Sequence, residues 1–268
     1  MRTLKLLALF LLIGLIMVGC KKEETKVVKV KKDNGQIVSG ISFSDIENTC
    51  SKHNQYLDEI FAGFNFEATN YIEELQRCIQ NSSLDNLSAG AKDSIIQMLT
   101  NESLLYTFDD LLYMIDTSTL LNDKNNIISL LSAIDSNSFN VDHEEISDMV
   151  DSLECLAYNN LNDYDLLFTL SYFEMVRYSS YYWMPAENGG NGYGNEILCY
   201  GVSQGDTSQT NQRAKDVADV LITDCTSIAI GMVKVAFFSP TVVGLAIVAA
   251  RAAVSSAGKA IYINMKNR

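Results

Sequence analysis

Residues 44–78 read SDIENTCSKHNQYLDEIFAGFNFEATNYIEELQRC. Ile46, Cys50, His53, Leu57 and Ile60 recur at alternating spacings of four and three, which is one apolar stripe of an amphipathic helix. Ser44 and Glu47 stand at the spacing of a capping box, in which a serine oxygen and a glutamate carboxylate cover orphan amides at a helix start. Gly63-Phe64-Asn65 breaks the pattern, and Ala68, Tyr71, Leu75 and Cys78 resume it. Two helices joined by so short a loop are expected to lie antiparallel. Cys50 and Cys78 stand fourteen residues either side of Phe64, so the same symmetry predicts that they meet in a disulfide.

The rest of the chain repeats this helical grammar. Further segments of helical period fall at about 88–99, 102–115, 123–134, 142–158 and 163–182, separated by Asn, Asp and Ser clusters. Six glycines between residues 185 and 205 forbid regular helix there, and 206–238 reads as one long helix. Ser239 and Pro240 then supply a cap and a first-turn proline for a last helix running towards Ile263. Only 2 prolines occur in 268 residues, which argues against a turn-rich β-sandwich. The expected fold is all-α: a multi-helix bundle with a glycine-rich loop and a C-terminal helical hairpin. Its segments are 1–19, 20–43, an acidic helical domain 44–184, the loop 185–205 and an apolar hairpin 206–268 packed on the same core. No fixed-period repeat supports a solenoid.

Charge is divided unevenly. The whole chain carries −13, yet residues 34–174 hold a net −20 and residues 175–268 a net +2. So acidic a chain offers no footprint for phosphate backbones, and a nucleic-acid partner is not expected. From Cys225 to Ala250 the only charge is Lys234, while Ala249, Ala253 and Ala257 recur every four positions. A membrane hairpin and the central helices of a bundle both read this way. Pro240 divides the apolar stretch into pieces shorter than the ~20 residues that span a bilayer, which favours the bundle.

The chemistry-bearing constellations are thin. Gly201-Val202-Ser203-Gln204-Gly205 matches the nucleophile-elbow pattern G-x-S-x-G. Both histidines, His53 and His143, precede Ser203, however, whereas that fold places its histidine after the serine. Turn chemistry explains the match. No Cys/His spacing suits zinc, no EF-hand loop occurs, and no cofactor motif is present. Besides Cys50 with Cys78, Cys199 and Cys225 form a second expected pair. Tyr181, Tyr182, Trp183 and Tyr193 cluster with Asn188, Asn191 and Asn195 near the glycines; tyrosines at helical spacing are expected first as core, and the alternative is a surface for a glycan or protein ligand.

The N-terminus carries an address. Arg2 and Lys5 precede an apolar run from Leu6 to Val18 that ends in Gly19-Cys20, the layout of a secretory signal. Met17-Val18-Gly19-Cys20 resembles the lipobox of bacterial lipoproteins, with Met in place of the usual Leu. Cys20-Lys21-Lys22-Glu23-Glu24 is similar to the export signal of Bacteroidetes-type surface lipoproteins. That resemblance implies acylation of Cys20, cleavage before it, and an outer-membrane protein facing the cell exterior. It covers about two dozen residues and implies nothing about the folded part. Six lysines between residues 21 and 34 then read as a solvated tether. The functional expectation is a non-enzymatic surface lipoprotein that binds a ligand or partner. The alternative is a membrane-active or competition factor using the hairpin, and a serine hydrolase comes third.

Overall fold

A computed structural model describes residues 36–84, 87–99, 106–134, 142–201, 208–238 and 240–268, all within one unit, Asn34–Arg268. Cys20 and Ser203 lie outside the described residues. The chain opens on a two-stranded antiparallel hairpin, β1 (Gln36–Val38) and β2 (Ile41–Ser42). Ser39 and Gly40, at φ 50° and 83°, form its two-residue turn; positive φ at both positions suits the strand twist. These residues were expected in the tether. Strands of two or three residues are too short to show a period, but Ile41 and Phe43 are buried and tie the segment to the core.

Ten α-helices follow among the described residues: α1 (Phe43–Gly63), α2 (Tyr71–Asn81), α3 (Ala89–Leu99), α4 (Phe108–Thr117), α5 (Lys124–Leu131), α6 (His143–Asn160), α7 (Asp163–Trp183), α8 (Tyr193–Cys199), α9 (Ser208–Phe238) and α10 (Val242–Asn267). The all-α bundle is thus the architecture. α1, α7, α9 and α10 pack around one another at its centre, with α6 against α7 and the shorter helices around this group. α7 is buried on all sides from Leu167 to Val176, as expected of a helix enclosed by others. α10 brings Ala246, Ala249, Ala250, Ala252, Ala253, Ala257 and Ala260 inside, and these small side chains allow close helix approach. At the closest point, a Cβ on Gly231 of α9 would sit 2.5 Å from Val248 Cγ1.

Several expectations are displaced. α1 is capped by Ser42, whose Oγ accepts from Asp45 N at 3.3 Å while Asp45 Oδ2 accepts from Ser42 N at 2.9 Å. The spacing of a capping box is satisfied at both 42/45 and 44/47, and the β-hairpin selects the earlier one. The cap of α10 is Thr241, whose Oγ1 accepts from Gly244 N at 3.0 Å, so Pro240 precedes the cap instead of opening the helix. Residues 185–205 are not all loop: a 3₁₀ turn, Ala186–Asn188, and α8 occupy much of the stretch. Its glycines serve packing as well as turning. A Cβ on Gly194 would lie 2.3 Å from Trp183 Cε3, so only glycine lets α8 rest on that ring.

The expected disulfides do not form, and all five described cysteines are free. Residues 64–70 take up height between α1 and α2 as Phe64 and Phe66 pack edge to face at 4.9 Å. Cys78 Sγ therefore faces Gly63, 3.7 Å from where its Cβ would be, and Ser83 N donates to Glu59 Oε2. Cys50 lies thirteen residues further back, roughly 20 Å along the helix. Cys199 lies level with Gln212 and Asp216 of α9, while Cys225 is nine residues beyond Asp216, roughly 14 Å away along that helix.

Candidate functional site

A cleft opens between α9 and α10 near their connecting turn. It measures 460 Å³ and is walled mainly by Ile230, Val235, Phe238, Val243, Ile247 and Val248, with Tyr106 from the connection before α4. α9 and α10 are pinned together at Gly231 and Val248, and the cleft lies alongside that contact towards the turn. Among the described residues, Lys234 and Arg251 are the only charged ones that line it. Arg251 Nη2 donates to Ser94 Oγ at 3.1 Å, whereas Lys234 is exposed. Ser227 also lines the wall, and its buried hydroxyl oxygen has no hydrogen-bond partner among the described residues. Burial raises the pKa of the Tyr106 phenol, Asp110 adds to the rise and Arg251 opposes it, so the hydroxyl stays protonated at neutral pH. The chemistry of this lining suits an apolar group next to a negative one. Sequence reading treated these residues as hairpin core; the signal available was the absence of acids beside Lys234 and Arg251.

Behind the cleft, a sealed polar network ties the hairpin to the bundle. Asp224 of α9 is fully buried, and its Oδ2 accepts from Ser179 Oγ and, at 2.8 Å, from Trp183 Nε1, both on α7. His53 Nε2, on α1, lies 3.3 Å from Asp224 Oδ1 and 3.4 Å from Ser256 Oγ on α10. Asn54 orients the imidazole: its amide donates to Tyr178 O, leaving Oδ1 to accept from His53 Nδ1–H at 2.9 Å. Serine, histidine and aspartate thus meet, but Ser179, His53 and Asp224 are all at 0% exposure. The three are sealed from solvent, and the network holds four helices in register.

The expected aromatic surface is divided. Tyr182 and Trp183 are core residues, the tyrosine donating to Asp58 Oδ1 at 2.9 Å, while Tyr181 and Tyr193 are exposed. Tyr182 and Trp183 are inside because α7 is enclosed on most of its circumference, whereas Tyr181 lies on its open side and Tyr193 belongs to α8. His143 Nδ1 lies 2.9 Å from Ser180 Oγ, and its ring is 5.4 Å from that of Tyr181. Burial lowers the His143 pKa; Asp142 opposes that shift and Arg177 adds to it.

Carboxylates gather on Arg177 of α7. Its guanidinium binds Glu154 through both nitrogens at 2.7 and 2.9 Å and also reaches Glu174 and Asp151. Burial alone would lower its pKa, but the three carboxylates outweigh burial and hold it above the ordinary value. This clamp joins α6 to α7. A smaller pocket of 130 Å³ lies beside Cys199 and Asp216. Gln212 and Asn267 donate to the Asp216 carboxylate, yet burial keeps its pKa raised. Among the described residues no group of three His, Cys, Asp or Glu is placed to hold a metal ion.

Compared with known proteins, the chain matches no family model, no curated protein and no solved structure.

Proposed function

We propose that this chain is a non-enzymatic binding protein, held at the outer membrane by a lipid on Cys20 and facing the cell exterior, whose ligand enters the α9–α10 cleft. The observation that carries the binding half is the 460 Å³ apolar cavity with its two cationic lining residues. The anchoring half rests on Met17-Val18-Gly19-Cys20 and the Lys-Glu-Glu run after it.

An apolar anion, 1-anilinonaphthalene-8-sulfonate, probes the cleft directly. The full chain is expected to take up one equivalent saturably, and Ile247→Trp, which fills the cavity, to weaken uptake at least tenfold with helicity intact. Equal uptake by both proteins refutes the cleft as the site. Metabolic palmitate label is expected on the wild type and absent from Cys20→Ala. Alanine at Lys22, Glu23 and Glu24 is expected to keep the lipid and reduce cleavage by external protease.

A second reading, hairpin entry into a target bilayer, is favoured by the lengths of Gln212–Phe238 and Val242–Asn267, both long and apolar enough to cross a membrane. The sequence-based argument that Pro240 leaves each piece too short does not hold for the helices as formed. Entry would require drawing Asp224, Ser256 and Asn264 out of a core where all three are buried, which favours the bundle. Release of dye entrapped in liposomes distinguishes the two readings.

A further inference from the structure

We infer that the turn of the α9–α10 hairpin docks on the surface of an anionic lipid bilayer. Phe237, Phe238, Val242 and Val243 flank the turn and are 52, 77, 75 and 62% exposed. The other large exposed hydrophobic residues of the described chain are Met265 and five tyrosines, whose hydroxyls suit them to water. Four aromatic and aliphatic side chains at one point are a different case: folding gains nothing from leaving them in solvent.

Charge selects the partner. No Asp or Glu occurs between Cys225 and Arg268, and Lys234 stands one helical turn before Phe238, on the same face. Geometry selects a bilayer over a protein. A stable protein interface takes about 800 Å² and 20–30 residues from each side, whereas here a few side chains protrude from a helix turn. A fluid interface accepts such a wedge without a complementary pocket, with the lysine ammonium at the level of the headgroup phosphates. The docking needs no hairpin rearrangement; Phe238, Val243 and Lys234 also line the cleft, so a ligand seated there shares these side chains with the bilayer.

Phe238→Trp in the full chain gives a direct readout, because the single native tryptophan, Trp183, is completely buried. Vesicles of phosphatidylcholine, or of phosphatidylcholine and phosphatidylglycerol at 7:3, carry acyl chains brominated near the headgroup. Emission from position 238 is expected to shift to the blue and be quenched on the anionic vesicles, with far less quenching on the zwitterionic ones. Lys234→Gln in the same protein is expected to raise the anionic lipid concentration required about fivefold. Entrapped dye is expected to stay inside. Quenching no greater than in the parent chain overturns the inference. So does a lipid-independent blue shift that grows with protein concentration, which assigns the tip to a second copy. Dye release also overturns it, in favour of insertion. Absence of sulfonate-probe uptake by the parent chain, with quenching at position 238 intact, counts against the cleft alone.

Discussion

Asp224 is a carboxylate that water does not reach, and its neighbours decide whether the helix carrying it stays in place. Two donors from α7 meet one oxygen and the His53 imidazole faces the other. Removing a donor leaves a buried charge short of a partner, which costs more than the bond contributes when made. Ser179→Ala deletes one oxygen with little change of shape. It is expected to lower stability by about 1.5–3 kcal/mol, read from chemical-denaturation midpoints. None of this was legible in the sequence, because His53 and Asp224 are 171 positions apart and each alone reads as a residue on a helix. Which of the aromatics at residues 181–193 are core was undecided for a related reason: periodicity finds one buried stripe, and α7 is buried nearly all round. His143 supplies a pH test. Burial lowers its folded pKa below the unfolded value near 6.5, so the folded protein binds the proton less readily. The contribution is fully present above that value and is lost as pH falls through the depressed one. The drop in midpoint between pH 7.5 and 5.5 is expected to be smaller in His143→Gln than in the wild type. An equal or larger drop in the variant would contradict this assignment.

At the scale of elements, patterning located most helices, because a 3.6-residue period extends over several turns and survives local irregularity. It failed where contacts outside the element choose between equivalent patterns. The choice of Ser42 over Ser44 as a cap follows from Ile41 and Phe43 entering the core. The separation of Cys50 from Cys78 follows from residues 64–70 packing their aromatic rings instead of making a tight turn. Helix approach is a third such case, and it can be tested at Gly231. Alanine there improves helix propensity by about 1 kcal/mol, but its Cβ would lie 2.5 Å from Val248 Cγ1 and 3.0 Å from Cγ2. Overpacking of about 1–3 kcal/mol is expected to outweigh the propensity gain, so Gly231→Ala lowers the denaturation midpoint. Gly231→Ala with Val248→Ala is expected to cost less than the two single changes added together, by at least about 0.5 kcal/mol. Strict additivity would mean that the helices part freely at this level.

For the molecule as a whole, charge is distributed against stability. Residues 34–174 hold 24 acids and only four basic side chains, Lys52, Arg77, Lys92 and Lys124. Some acids are locally compensated. Arg77 and the Asn65 amide bring the Glu74 pKa down to about 2, and Arg177 gathers three carboxylates from α6 and α7. The remaining acids outnumber their partners, and at low ionic strength they repel one another over distances comparable with the domain. Salt acts on both effects, weakening exposed pairs and screening repulsion, and the surplus of acids decides which change is larger. Raising NaCl from 10 to 150 mM shortens the screening length from about 30 to 8 Å. The thermal midpoint is therefore expected to rise by about 2–4 °C, equivalent to about 1 kcal/mol for a chain of this size. The compact Arg177 clamp is only partly exposed and is screened least, so Arg177→Met is expected to destabilise the fold at both salt concentrations. A midpoint that falls with salt would mean that favourable pairs, and not repulsion, dominate the acidic half.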